Sequence, residues 1–142
     1  MKILVPVDGS TYSDRAVDHL VSKLGWFKDA VEIHLLNVQH GIPYGRRVSE
    51  AVGHDRIAKF HQDEGMAALA SARRKLDAAK VKYNYHIGVG EEAEVICRYA
   101  KDKEVDQIFM GTRGLGQVST LVLGSVATKV IHLSPVPVLL VK

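Results

Sequence analysis

The feature that most restricts this chain is a repeated exchange of two hydrophobic periods. Short runs rich in Val, Ile and Leu alternate with stretches that have the three-to-four spacing of an amphipathic helix. The runs are Ile3–Val7 (ILVPV), Val31–Val38 (VEIHLLNV), Val81–Gly88 (VKYNYHIG), Asp106–Gly111 (DQIFMG) and the closing PVPVLLVK. Each has strand length and ends in turn residues or a change of period. Between the first two, Ala16, Val17, Leu20, Val21 and Leu24 make one apolar stripe. Ser10 or Thr11 can cap that helix, Asp14 suits its positive end, and Gly25 suits its stop. A less regular helix is expected over about His54–Lys80, with Ile57, Phe60, Ala68, Ala72 and Leu76 near one face and Gly65 weakening it. EEAEVICRYAKDKEV reads as a third helix, with Ala93, Ile96 and Ala100 on one side, and Ser125–Leu133 as the last.

Strands alternating with helices give an α/β class protein: three layers, an open five-stranded parallel sheet, and helices on both faces. Near-continuous apolar strands fit a sheet covered on both sides. Pro135 and Pro137 cannot donate to a ladder, so the last strand is expected at an edge. The 142 residues suffice for one domain, 1–142, and no composition shift or internal repeat divides them.

Several function classes are disfavoured. The first apolar run ends at Asp8, too short for a signal segment or a membrane span, so no membrane partner is expected. Cys97 is the sole cysteine, which excludes an internal disulfide and fits a cytoplasmic location. A net charge of +3 with scattered Lys and Arg, paired only at Arg46–Arg47 and Arg73–Arg74, argues against a nucleic-acid partner. The seven histidines form no close metal-ligand pair, and His54 with His61 reads as a solvated pair. Cys97 beside Ile96 reads as a core thiol.

Chemistry concentrates in GTRGLGQVSTLVLGSVATKV, Gly111–Val130, which holds four of the twelve glycines. Ligands of parallel α/β sheets sit beyond the carboxyl ends of strands, where strand order reverses. Three segments leave such ends distinctively: PVDGS, NVQH and MGTRGLGQ. If the first and fourth strands are neighbours, Asp8 faces the Gly111–Gly116 loop. Gly111 and Gly114 would let backbone approach a ligand, and Gly124–Ser125 opens a helix whose free amides attract phosphate. Arg113 would complete a phosphate cradle. The alternative is that the glycines only make turns and Ser125 only caps a helix.

GTRGLGQVSTLVLGS resembles the G-x2-G-x9-G-[ST] signature of the universal stress proteins, in their ATP-binding branch. KILVPVDGSTYSDRAVDHLV is similar to that family's opening strand and helix, and SVATKVIHLSPVPVLLVK to its closing helix and strand. The resemblance covers nearly the whole chain. It implies strand order 3-2-1-4-5 and one ATP per chain, with AMP or ADP as alternatives and Mg2+ or Mn2+ held through the phosphates. It places Pro6, Val7 and Asp8 along the nucleotide, Asp8 at the ribose, and Val38 at adenine through its backbone. Met110 and Gly111 would lie beside the ribose, and Arg113, Gly114, Gly124, Ser125 and Val126 around the phosphates. It also implies a homodimer paired through VPVLLV, unidentified protein partners, and a nucleotide-dependent regulator in stress response. Alternatives are a dimeric scaffold that binds no nucleotide, or a slow ATPase or self-phosphorylating protein. One departure is Asn37, where many relatives carry histidine; Gln39–Asp55 follows no firm family pattern.

Two rival phosphate motifs fail. No G-x-x-x-x-G-K-[ST] run exists. GVGEEA, Gly88–Ala93, matches G-x-G-x-x-A, but Glu91 and Glu92 put negative charge where a pyrophosphate would bind. Gly88 and Gly90 are therefore expected as turn residues, with the glutamates as partners of a helix start. GLGQVS, Gly114–Ser119, is a poorer match.

Overall fold

The computed structural model describes residues 1–41, 50–116 and 122–142. The middle of the Gln39–Asp55 connection, with Arg46–Arg47, and the end of the GLGQVS match lie outside these residues. Five strands are present: β1 Lys2–Pro6, β2 Glu32–Gln39, β3 Tyr83–Val89, β4 Gln107–Gly111 and β5 Val138–Val141. The helices between them are α1 Thr11–Lys23, α2 His54–Ala78, α3 Glu92–Asp102 and α4 Ser125–Leu133. The sheet is parallel with order β3-β2-β1-β4-β5, so the chain reverses direction across the sheet between β1 and β4. β5 is an edge strand.

Period-two alternation sorts the strand residues into two cores. Ile3, Val5 and Val7 pack with Val17 and Leu20 of α1 and Leu69 and Leu76 of α2. Leu4, Ile108 and Met110 face the other way, against Ile96 of α3 and Val130 of α4. Ile3, Leu4, Leu35, Leu36 and Ile108 are wholly buried; each such side chain stabilises the fold by roughly 1.5–3 kcal/mol.

Three local expectations are corrected. The buried stripe of α2 is His61, Gly65, Leu69, Ala72 and Leu76, whereas Phe60 is exposed and Ile57 and Ala68 only half-buried. Gly65 sets this rotation: a Cβ there would lie 2.6 Å from Ile87 Cγ2, so its missing side chain lets α2 settle on β3. His61 is therefore buried and its Nδ1 has no partner among the described residues, while His54 is exposed; they are not a solvated pair. Gly25 does not end α1 in a left-handed turn; the helix tightens into a 3-10 turn at Leu24–Trp26.

Candidate functional site

Adjacency of β1 and β4 brings the segments that follow them together. A cavity of about 500 Å³ opens there, beyond the strand ends. All eleven residues singled out from the sequence line it: Pro6, Val7, Asp8, Val38, Met110, Gly111, Arg113, Gly114, Gly124, Ser125 and Val126. Leu36, Ile96 and Ala127 add apolar wall, and Ser13, Leu115 and Gly116 also contribute.

Hydrogen bonds fix its floor. The Val7 amide donates to the Leu36 carbonyl at 2.8 Å, extending the β1–β2 ladder past Pro6. Asn37 Nδ2 donates to the Val7 carbonyl at 2.8 Å, and Gln39 Nε2 donates to Asn37 Oδ1 at 2.7 Å. Asn37 is buried and thus secures the strand end before Asp8. Asp8 Oδ1 accepts from the Ser10 amide at 2.9 Å, which holds the carboxylate at the turn while Ser10 caps α1.

The glycines divide by role. A Cβ on Gly114 would lie 2.6 Å from Asp8 Oδ2, so loop backbone and carboxylate meet because a side chain is absent. A Cβ on Gly111 would lie 2.7 Å from the Tyr12 carbonyl carbon. Gly111 lines the cavity, but its missing side chain serves the packing of α1 on β4. Gly124, not Ser125, is the residue before α4, and it supplies no side-chain cap. The Gly124 amide donates to the Thr112 carbonyl at 2.7 Å, which ties the start of α4 to the end of β4. The first turn of α4 thus borders the cavity, and its amides have no capping side chain among the described residues. Ser125 is exposed at its first helical position.

Arg113 leans toward α1. Its guanidinium donates to Tyr12 Oη at 3.3 Å and lies 5.8 Å from that ring's centroid. It also lines a second cleft with Tyr12, Arg15, Thr112, Val122 and Lys142.

Besides Ser13, the polar cavity residues His40 and Glu92 were missed from the sequence. They stand 52 positions apart and meet because Gln39 pairs with Val89 in the β2–β3 register. His40 Nε2 is 3.0 Å from Glu92 Oε1. The available signal was a carboxylate opening the helix after the strand beside β2.

Elsewhere, His34 is buried between Tyr99 Oη at 2.9 Å and Glu32 Oε1 at 2.8 Å. Burial and the nearby Glu32 charge push the Tyr99 hydroxyl above its usual range. Cys97 is buried, and burial raises its thiol, so it lacks thiolate character. Among the described residues no group of three His, Cys, Asp or Glu could hold a metal ion. Nor is any of their helices long and apolar enough to cross a membrane.

Fold and cavity define a parallel α/β protein with a crevice where strand order reverses, bounded by a glycine-bearing loop and a helix start. The chain belongs to the universal stress protein family, whose model matches residues 1–142. A universal stress protein of Thermus aquaticus is 51% identical over 142 residues, covering 99% of this chain and 97% of its own. The solved structure of MJ0577 from Methanocaldococcus jannaschii superposes with a TM-score of 0.81 at 30% identity, covering 99% of this chain and 94% of that one. A universal stress protein family structure from Arabidopsis thaliana, solved with AMP bound, has a TM-score of 0.65 at 22% identity over 100% and 91% of the two chains.

Proposed function

We propose that this chain belongs to the ATP-binding branch of its family and acts as a nucleotide-dependent regulator. The observation that carries the reading is the convergence of Asp8, the Gly114 loop and the uncapped start of α4 on one apolar-walled cavity. Its size and lining fit a nucleotide: an apolar wall for a base, a carboxylate for ribose hydroxyls, and free amides for phosphate. Asp8 would accept from the ribose, and the Val38 backbone would face the base. Gly114, Gly124, Ser125 and Val126 would surround the phosphates, with Arg113 able to swing from Tyr12 toward their charge. A divalent ion would be carried in through those phosphates. The AMP-bound Arabidopsis protein shares the fold at 22% identity, so the reading rests on this chain's own residues. In this reading the protein works in the cytoplasm as a homodimer paired through the edge strand β5.

Titration calorimetry with ATP and Mg2+ should give one nucleotide per chain, and sedimentation of the same sample should give a dimer. Asp8→Ala should weaken binding about tenfold, the worth of one charge-assisted hydrogen bond. No heat of binding, or a variant equal to the parent, would remove the nucleotide assignment or Asp8 from it. A sedimenting monomer would refute the β5 pairing.

A further inference from the structure

We infer that Glu92 selects the base, accepting a hydrogen bond from the exocyclic amine of a 6-aminopurine and disfavouring 6-oxopurines. The inference rests on the nucleotide reading of the cavity.

Three glutamates stand at the start of α3, and they part company. Glu91 Oε1 lies 3.3 Å and Glu94 Oε1 3.9 Å from Lys129 Nζ, outside the cavity. Glu92 lines the cavity instead, its side chain only 27% exposed, with Oε1 held by His40 at 3.0 Å. A carboxylate only accepts, so His40 Nε2 carries the hydrogen, and among the described residues Glu92 Oε2 is left as a further acceptor. The cavity that Glu92 lines has apolar walls that include Leu36, Val38 and Ile96.

The sheet order sets which part of a ligand this acceptor meets. His40 follows β2 and Glu92 follows β3, on one side of β1. Gly114 follows β4, on the other side of β1, and the uncapped α4 start is tied to the end of β4. With phosphates at the α4 start, the base lies toward Glu92. An acceptor-only group set in apolar wall matches an amine donor. A carbonyl at the same ring position would face it lone pair to lone pair and leave both unpaired.

The test compares ATP with inosine triphosphate, which has a carbonyl at that position and a hydrogen on the neighbouring N1, a donor Glu92 could reach only if the base shifted. Calorimetric titration should show the parent binding ATP at least about tenfold tighter. In Glu92→Gln the ratio should fall to within about threefold, because a carboxamide offers both a donor and an acceptor. Glu92→Ala should narrow it as well, with overall ATP affinity reduced. ATP binding with no preference in the parent, or with the same preference in both variants, overturns the role of Glu92 alone. Failure of the parent to bind either triphosphate overturns the nucleotide reading and this inference with it.

Discussion

Two turns in this molecule leave a strand, carry glycines and lead into a helix on the same face of the sheet, yet they make opposite surfaces. At Gly88–Glu92 the space beside the glycines is filled, although Gly88, expected in the turn, is still a β3 residue paired with Val38 and only Gly90 turns the chain. A Cβ on Gly88 would lie 2.9 Å from Val95 Cγ1, and one on Gly90 3.0 Å from Val95 Cγ2. The helix start is closed too: Glu91 Oε2 accepts the Glu94 amide at 2.8 Å. After β4, Gly114 stands against the Asp8 carboxylate rather than a core side chain, and among the described residues no side chain caps α4. A glycine pattern therefore does not by itself make an anion site. What decides is whether the following helix turns a branched side chain back onto the glycines and spends its own amides on a neighbouring carboxylate.

One methyl group placed at each turn separates them most sharply. Gly114→Ala sets its Cβ against Asp8 Oδ2 and displaces the carboxylate from its place beside the loop. ATP affinity should fall about tenfold, as for loss of the Asp8 hydrogen bond, with little change in thermal stability. Gly88→Ala drives its Cβ into Val95 and should cost about 1–3 kcal/mol of stability with affinity nearly unchanged. Calorimetry and chemical denaturation on the same two proteins read both effects. The reverse pattern would exchange the roles assigned to the two turns.

Val95→Ala probes the closed turn from the other side. Val95 is buried, so its truncation should cost about 1–2 kcal/mol. Space beside Gly88 and Gly90 then opens while the Glu91 cap stays. If the cap excludes anions independently of the plug, ATP should still bind at one per chain. A second equivalent in the variant would show that Val95 alone kept the two turns different.

The fold was legible because its signal is redundant. Every strand but the mostly exposed edge strand β3 is an apolar run and every helix a stripe, so a misplaced boundary leaves the layer order intact. The candidate site was legible where backbone freedom is written as glycine after a strand and before a helix. Its selective part was not. His40 and Glu92 look like ordinary surface residues, and only the pairing of Gln39 with Val89 brings them to one wall. α2 was misjudged for a related reason: glycine counts against a helix locally, yet Gly65 fixes its rotation through contact with Ile87, which no local pattern contains. Gly111 shows the same split, since what its missing side chain accommodates is Tyr12.

The smallest effect sits on the Glu91 cap, where the two turns differ in charge. Accepting the Glu94 amide, helped by Lys129 and opposed by partial burial, holds the Glu91 carboxyl below its usual value of 4.5. A carboxyl depressed in the folded state stabilises the protein above its unfolded pKa, and that contribution fades as pH falls through the folded value. Glu91→Gln keeps an acceptor but removes the charge. At pH 7 the variant should be less stable by under about 1 kcal/mol, a modest capping loss at a partly exposed position. The gap should close as pH drops from about 5 through the folded value, the wild type losing stability relative to the variant. Urea denaturation midpoints of the pair across that range measure it. A gap that stays constant would mean the charge contributes nothing and the cap is neutral in character. A gap that widens toward acid would mean the Glu91 pKa is raised, and the electrostatic half of the contrast with the open α4 start would fail.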